Sequence, residues 1–293
     1  MRRFLTLIAI LVAAALSLPW TSQAKAQFYY TYVSHAGDDN NGCARPANAC
    51  YTFPGALGKT NDGGIVSCVD AGNFISVIIT KSVTIDCLAG GGGINTTDVT
   101  INAPGKTVRL RNLAFNGASV TGTLIDIVAA SQVYIENVIV TGNRGGLPCI
   151  IDRRAGPAVL VVRDSSIVNC AGPGIVIVPA SGAIGVDLEN VTSAYNTFGL
   201  AVGSGGRVMI KNSFFTNNST AGIEADGGSL IDVSNSQVAF NSTGIAAGGA
   251  ITLSNSGINS NSTAISGATQ SYGNNRLVGN SSDGTAPTII SGR

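Results

Sequence analysis

The stretch that decides the fold is FNSTGIAAGGAITLSNSGINSNSTAISG, residues 240–267, in which one pattern occurs twice. Asn-Ser-Thr begins at Asn241 and again at Asn261, and the same triplet begins at Asn218. The triplet matches an N-glycosylation acceptor, but the residues around it recur with it. It is therefore interpreted as one part of a structural repeat, with glycan attachment as the alternative.

The repeat is aligned by a column of Asn and Asp residues that lie 19 to 27 residues apart. The second and fourth positions before the first seven of these residues are all aliphatic. Such alternation indicates a strand with one buried face, and a period of this length indicates a solenoid. The column consists of Asn112, Asn137, Asp164, Asn190, Asn212, Asn235, Asn255 and, more loosely, Asn274.

A second strand follows in each unit, in segments such as TLIDIVA, GIVIVPA, AGIEADG and TGIAAGG. Three short strands per turn, separated by Gly and Asn corners and without a helical pattern between them, predict an all-β fold, a single-stranded parallel β-helix. We expect about nine coils from Gly64 onward. One interior column should contain Leu110, Ile135, Val162, Leu188, Ile210, Val233 and Leu253.

A second Asn column follows most members of the first by six residues, and Cys170 occupies its place once. Stacked corners bring side-chain amides close enough to donate and accept along the stack. Asn also tolerates the left-handed backbone that such corners use. We therefore expect an amide ladder through Asn143, Asn196, Asn218, Asn241, Asn261 and Asn280.

The position just before each residue of the first column should point outward, and its charge alternates from turn to turn. Opposite charges on neighbouring strands stabilise a sheet by roughly 0.2 to 1 kcal/mol per pair. The pattern predicts a charge ladder that favours the correct register, formed by Arg111, Glu136, Arg163, Glu189 and Lys211.

The first 26 residues resemble a secretory signal peptide. Arg2 and Arg3 precede an apolar run, and Ala-Lys-Ala ends at Ala26. A membrane anchor is the weaker alternative, because the run is shorter than the ~20 residues of a spanning helix. We expect a secreted or periplasmic protein without membrane insertion after cleavage, divided into residues 1–26, an N-terminal segment and cap at 27–63, and a β-helix with a polar tail at 64–293.

The charge excludes one class of partner. The whole chain has a formal net charge of +1, and residues 1–26 contain three of its cations and no acid, so the remainder carries −2. A nucleic-acid-binding protein needs a basic face to replace condensed counterions. Nucleic acid is therefore not an expected partner.

Six cysteines in an exported chain indicate disulfides. Cys43 and Cys50 share one short loop, and Cys68 and Cys87 lie about one coil apart, which suits a disulfide between stacked turns. Cys149 and Cys170 are also about one coil apart but fall at different corners, so their pairing stays open. Free thiols are the alternative.

The N-terminal segment TFPGALGKTNDGG predicts a short capping helix, with Pro54 at its start and Gly63 at its end. Phe53 and Leu57, four residues apart, would cover the first coil. A solenoid needs such a cover over its apolar end.

The repeated Asn-Ser and Thr-Gly-Ile units resemble the right-handed parallel β-helix repeat family of the pectate-lyase-like superfamily, over nearly the whole mature chain. TYVSHAGDDNNGCARPANACYTFPGAL, residues 31–57, is similar to the segment that opens many exported members. The resemblance implies the right-handed sense of the coil. It also implies sugar polymers as the substrate class, calcium held by clustered carboxylates and an Arg or Lys base in the lyases.

The candidate site of chemistry lies in the second strand of each coil. Asp126 and Asp152 are expected to face outward one turn, ~4.8 Å, apart, with Arg153 and Arg154 beside them. Such a pair of carboxylates suits calcium or acid and base catalysis. The alternative is that the two aspartates are solvated and neutralised by the neighbouring arginines.

Two functional classes follow. The first is an exported, non-catalytic β-helix that presents a polar face to a polysaccharide or a cell-surface glycan. The second is a polysaccharide lyase or hydrolase with a reduced site. The Gly-His-Gly and Asn-Thr-Asp motifs of polygalacturonases do not occur, and the single histidine, His35, lies before the coils in a sequence typical of a turn. These observations favour the first class.

Overall fold

The computed structural model describes residues 27–87 and 98–291. Over these ranges the chain forms a parallel β-solenoid of about 9 turns with almost no helix. Each strand pairs in parallel with a strand of the neighbouring turn. The predicted fold class is confirmed.

The strands, in chain order, are β1 (Phe28–Val33), β2 (Thr60–Cys68), β3 (Val77–Ile79), β4 (Val83–Asp86), β5 (Val99–Asn102), β6 (Thr107–Arg111), β7 (Ala114–Asn116), β8 (Ile125–Ala129), β9 (Gln132–Glu136), β10 (Ile139–Asn143), β11 (Ile150–Asp152), β12 (Ala158–Cys170), β13 (Ile175–Ile177), β14 (Ile184–Ala194), β15 (Phe198–Val202), β16 (Gly206–Lys211), β17 (Phe214–Thr216), β18 (Ala221–Ala225), β19 (Leu230–Ser234), β20 (Gln237–Ala239), β21 (Thr243–Ala247), β22 (Ala250–Ser254), β23 (Gly257–Asn259), β24 (Thr263–Gly267), β25 (Gln270–Ser271), β26 (Arg276–Val278), β27 (Ser282–Gly284) and β28 (Thr288–Ile289).

These strands form three faces. Face 1 contains β1, β2, β4, β6, β9, β16, β19, β22, β25, β28 and the N-terminal parts of β12 and β14. Face 2 contains β7, β10, β17, β20, β23, β26 and the C-terminal parts of β12 and β14. Face 3 contains β3, β5, β8, β11, β13, β15, β18, β21, β24 and β27.

The predicted interior column of face 1 is confirmed. Leu110 pairs with Ile135 across β6 and β9, and Ile135 pairs with Val162 on β12. The same register continues through Leu188, Ile210, Val233 and Leu253. All seven side chains are fully buried, so the alternation of apolar residues identifies the strand faces correctly.

The corner between faces 1 and 2 is made by the first Asn column. Its members from Asn112 to Asn255 have left-handed backbones, with φ between 47° and 55°. Asn and Asp tolerate this region because their short polar side chains bond locally. Asn137 Nδ2, for example, donates to Asn112 Oδ1 of the preceding turn at 2.7 Å.

The second Asn column forms the predicted amide ladder inside the solenoid from Asn196 to Asn280. Asn143 is not part of it, because its Nδ2 donates to the carbonyls of Gly122 and Leu147 instead. Asn241 donates both its backbone N–H and its Nδ2 to Asn261 Oδ1, each at 3.0 Å. The left-handed residues at this corner are not the ladder Asn residues but those before them, such as Asn217 and Phe240. This differs from the prediction, because the ladder amides must point inward while the residue before each of them makes the bend.

The ladder explains the three Asn-Ser-Thr triplets. Asn218, Asn241 and Asn261 are at most 3% exposed. Their Nδ2 atoms donate to the backbone carbonyls of earlier turns, at 3.2 Å for Asn218 and 3.0 Å for the other two. In the folded protein the nitrogen that a glycan would occupy is therefore already bonded.

The charge ladder also forms on face 1. The register places Arg111, Glu136, Arg163 and Glu189 opposite one another in succession. Arg111 Nε lies 3.3 Å from Glu136 Oε2, and Arg163 Nε lies 3.4 Å from Glu189 Oε2. The predicted alternation of charges is confirmed.

All six cysteines are paired, and the pairing that the sequence left open is present. The bonds join Cys43 to Cys50, Cys68 to Cys87 and Cys149 to Cys170. The last pair joins neighbouring turns where face 2 leads into face 3, since Cys170 ends β12 and Cys149 precedes β11, with Cα atoms 6.0 Å apart.

A five-residue helix, α1 (Phe53–Leu57), packs at the N-terminal end, and Thr52 caps it by accepting a hydrogen bond from the Gly55 N–H. Phe53 packs against Phe74, with ring centroids 5.2 Å apart. The helix ends before the predicted Gly63, which lies inside β2, so the expected boundary between residues 63 and 64 also falls within a strand. Within the described ranges no helix is long and apolar enough to cross a membrane.

Candidate functional site

The candidate residues occupy β8 and β11 on face 3, but not in the predicted register. Asp126 lies opposite Ile151, and Asp152 lies opposite the interior residue Ile127. The prediction that both carboxylates face outward side by side is therefore wrong. Ile150 pairs with Ile125, and this apolar pairing turns Asp152 into the solenoid.

Asp152 and Arg154 form an ion pair inside the molecule. Arg154 Nε donates to Asp152 Oδ1 at 2.8 Å, and Nη2 donates to Oδ2 at 2.5 Å. The guanidinium also donates to the carbonyls of Ala130 and Val159, at 3.0 and 3.1 Å. Its side chain is 1% exposed and that of Asp152 is fully buried. Two ionised groups persist in such a place only when they are paired and hydrogen-bonded.

Asp126 and Arg153 form a separate ion pair at the surface. Arg153 Nε and Nη2 donate to Asp126 Oδ1 and Oδ2, each at 2.8 Å. The hydrogen bonds and the charge of Asp126 raise the pKa of the Arg153 guanidinium above its ordinary value. The four candidate residues therefore form two independent pairs, and their catalytic roles stay a prediction.

Asp126 lines an open cleft of about 640 Å³ on face 3, which we call the Asp126 cleft. The loop of small residues before β8 forms one wall, and Ser76 donates to Asp98 Oδ1 at 2.5 Å on the other. No hydrophobic or charge pattern in the sequence marked this loop as part of a site. The cleft is lined by Ser76, Asp98, Thr100, Ser119, Val120, Thr121, Gly122, Thr123, Asp126 and Leu147.

The arrangement does not fit the expected calcium site. Ca²⁺ takes six to eight oxygen ligands, whereas Asp152 is buried against Arg154 and both oxygens of Asp126 accept from Arg153. Among the described residues, no three His, Cys, Asp or Glu side chains come together as a metal site would require.

Two other groups of polar residues are separate from this cleft. His35 Nδ1 lies 3.0 Å from Asp70 Oδ2, and Ser34 donates to the same oxygen at 2.6 Å. Burial would raise the pKa of Asp70, but the hydrogen bonds from Ser34 and the His35 backbone hold it below its ordinary value. Both side chains bind Asp70 in the turn after β2, an arrangement typical of a structural histidine.

Glu224 lies on the outward column of face 3, four strand pairings from Asp126. Burial, and then the nearby charge of Asp226, raise its pKa above the ordinary value. At ~4.8 Å per strand, the distance to Asp126 is roughly 19 Å. Glu224 therefore does not contribute to the Asp126 cleft.

The sequence profile described as "Right handed beta helix region" matches residues 125–286, more than half of the chain. The chain belongs to this right-handed β-helix family. The match confirms the expected family and the handedness of the solenoid. No curated protein sequence matches the chain significantly.

Two solved structures are similar to this right-handed β-helix. A rhamnogalacturonan lyase is 14% identical, with a TM-score of 0.52, and the match covers 82% of this chain and 74% of the lyase. Pectate lyase Pel9A is 12% identical, with a TM-score of 0.48 and coverage of 91% and 80%. At these identities the likeness concerns the fold alone.

Proposed function

We propose that the protein is an exported, non-catalytic right-handed β-helix that binds a polysaccharide or a cell-surface glycan in the Asp126 cleft. The observation that carries this proposal is the chemistry of the cleft, which is open and lined mainly by hydroxyl groups and two carboxylates. Ser and Thr hydroxyls both donate and accept hydrogen bonds, as the hydroxyl groups of a sugar do.

The rigidity of the cleft supports a binding role. Asp126 projects from β8, which pairs with β5 on one side and β11 on the other. The bidentate contact with Arg153 fixes the orientation of its carboxylate. A polar group that is already oriented binds a ligand without a further ordering cost.

The pairing of the charges argues against catalysis. An acid and a base must both reach the reacting atom, but Asp152 and Arg154 lie inside the solenoid. Asp126 and Arg153 satisfy each other at the surface. The chemical groups expected to cleave a polymer are thus bonded to one another.

Export is part of the proposal and rests on two features. Residues 1–26 have the pattern of a secretory signal, and all three disulfides are formed. Disulfides persist in oxidising compartments. A secreted or periplasmic protein would meet polysaccharides and cell-surface glycans there.

The second candidate function is a polysaccharide lyase or hydrolase. The specific observation in its favour is that Asp126 lines the cleft and that its ion-pair partner Arg153 is also accessible, with side chains 23% and 50% exposed. In that case these two residues would carry the chemistry, because Asp152 and Arg154 do not reach the surface.

A glycan array combined with a depolymerisation assay distinguishes the two functions. We expect the wild type to bind a neutral glycan and to release no unsaturated sugars from uronate polymers, with or without calcium. Asp126→Asn and Thr121→Val should weaken binding, whereas Thr107→Ala, at an exposed position on face 1, should not. Release of unsaturated products that is lost in Asp126→Asn would establish the lyase instead.

A further inference from the structure

The corner between faces 2 and 3 holds two aromatic residues in an unusual backbone conformation. Every residue of this corner column has a positive φ, and most are Gly, Asn or Ser, which tolerate it. Tyr195 and Phe240 are the exceptions, each with φ of 58°. The column consists of Gly142, Asn169, Tyr195, Asn217, Phe240, Ser260 and Gly279.

These two aromatic side chains contribute little to the core. Tyr195 is 61% exposed and Phe240 is 63% exposed. A bulky residue in the left-handed region strains the backbone, and at this exposure burial does not compensate for the strain. Strained residues that the fold does not need are concentrated at functional sites.

Tyr195 and Phe240 lie two turns apart on the same edge. The Tyr195 N–H donates to the Thr216 carbonyl at 3.2 Å, and the Asn217 N–H donates to the Ala239 carbonyl at 3.1 Å. These bonds stack Tyr195, Asn217 and Phe240 at successive corners. At ~4.8 Å per turn, the two aromatic residues are ~9.6 Å apart along the axis.

The surface between and beside the two rings is polar but uncharged. It forms a recess of about 560 Å³ in which Asn217 lies between the rings and serine hydroxyls lie alongside. None of the described residues that line it is Asp, Glu, Lys or Arg. The serines are Ser219, Ser242, Ser260 and Ser262.

We propose that Tyr195 and Phe240 form a second binding site, which takes a neutral polysaccharide chain lying along the solenoid axis. An aromatic ring offers a flat apolar face with a negative quadrupole, which stacks on the C–H face of a pyranose. Amide and hydroxyl groups between the rings bond the sugar hydroxyls. The uncharged lining favours a neutral chain over a uronate, since no cation faces a carboxylate there.

The spacing supports a β-1,4-linked chain. Such a chain presents the same ring face at every second sugar, and the two aromatic residues are separated by one intervening corner. One sugar would stack on Tyr195, the next would bond Asn217, and the third would stack on Phe240. The site is independent of the Asp126 cleft, because β15, which follows Tyr195, lies three strand pairings from β8.

The test is titration calorimetry of the mature protein with cellohexaose and with a galacturonate hexamer. We expect cellohexaose to bind and its Kd to rise about tenfold in Tyr195→Asn and in Phe240→Asn. Tyr51→Ser, an exposed tyrosine at the N-terminal end, should bind as the wild type does. Circular dichroism should show all three variants folded.

Two outcomes would overturn this inference. One is the absence of cellohexaose binding by the wild type, and the other is binding that both Asn variants retain in full. Binding of an array glycan that is lost in Asp126→Asn but kept in Tyr195→Asn and Phe240→Asn would leave the proposed function of the Asp126 cleft intact. The experiment can therefore refute the site at Tyr195 and Phe240 without refuting the Asp126 cleft, and the reverse.

Discussion

Arg154 Nη2 lies 2.5 Å from Asp152 Oδ2, although the two residues are only two positions apart in the chain and both lie inside the solenoid. The Arg154 guanidinium turns back towards Asp152 at the end of β11 and also donates to the carbonyls of Ala130 and Val159. One charged group thus connects β11, the turn after β8 and the start of β12.

Removal of one partner of this ion pair should be strongly destabilising. We expect Asp152→Asn to lower the free energy of unfolding by about 3 to 5 kcal/mol, because it leaves a buried guanidinium without its counter-charge. Asp126→Asn, at the exposed pair, should cost about 0 to 1 kcal/mol. Urea denaturation of both variants measures the difference. Similar losses in the two variants would contradict the buried placement of Asp152.

The Asn ladder predicts that Asn241 is a structural residue. Asn241→Ala leaves several buried hydrogen-bonding groups without partners, including the Asn218 N–H and the Phe215 carbonyl. Since each such group costs about 1 to 3 kcal/mol, the variant should be destabilised by several kcal/mol in denaturant unfolding.

Thr243→Ala is the matched control, because it removes the glycosylation triplet without touching the Asn241 amide. Its stability should stay close to that of the wild type, and mass spectrometry should give the unmodified mass for the wild-type mature chain. A glycan on Asn241 would contradict the ladder.

The left-handed backbone of Phe240 predicts that a substitution at this exposed position raises the stability of the protein. Phe240→Asn should raise the free energy of unfolding by about 1 kcal/mol, since Asn enters the left-handed region more easily than Phe. The same substitution should weaken cellohexaose binding. Loss of stability would instead assign Phe240 a packing role, in spite of its exposure.

The charge ladder predicts sensitivity to salt. Glu136→Arg would place three cations in succession with Arg111 and Arg163, and each pair of like charges should cost up to about 1 kcal/mol. The loss should shrink in concentrated salt, which screens exposed charges. Glu136→Gln should lose less, and a loss that does not change with salt would point to packing instead.

The raised pKa of Glu224 predicts a pH-dependent stability. Well below the ordinary Glu pKa of about 4.3, the side chain is protonated in both states and Glu224→Gln should match the wild type. As the pH rises, the folded state resists ionisation because of burial and Asp226, so the wild type becomes the less stable protein. Thermal unfolding across this pH range measures the effect.

Asp62→Asn provides the opposite case. The hydrogen bond from Lys106 lowers the pKa of Asp62 in the folded protein, so Asp62 contributes stability above its unfolded pKa. That contribution is lost as the pH falls through the folded pKa. Asp62→Asn should therefore be less stable than the wild type at neutral pH and match it in acid.

Most of the fold could be predicted from the sequence because its determinants are local. An aliphatic residue at every second position selects a strand face, and Leu110 or Ile210 can be assigned without knowledge of its partners. Asn112 marks a corner because few residues accept its left-handed backbone. The pairing of Cys149 with Cys170 was harder, since Cys170 ends a strand on face 2 and Cys149 precedes a strand on face 3, so the two occupy different positions in their turns.

The candidate site was predicted less well, for a physical reason. Asp126 and Asp152 were aligned by residue type, whereas the register follows the apolar pair of Ile125 with Ile150, which places Asp152 opposite Ile127. An interior carboxylate breaks the alternation and is stable only because Arg154 folds back to meet it. Likewise, the sequence does not predict that Tyr195 and Phe240 are exposed at one corner, because their exposure depends on which side of a bend they occupy.

The regular stacking of turns fixes the distances between surface sites along the solenoid axis. The Asp126 cleft and the corner that holds Tyr195 and Phe240 lie at fixed positions along one axis. β15, the strand after Tyr195, is three strand pairings from β8, the strand of Asp126. Each turn contacts mainly its two neighbours, so a whole turn can be inserted or deleted without a change in the others. The gap between the two surfaces would then change in steps of ~4.8 Å, so the length of ligand that the two proposed sites could span would be set by the number of turns between them.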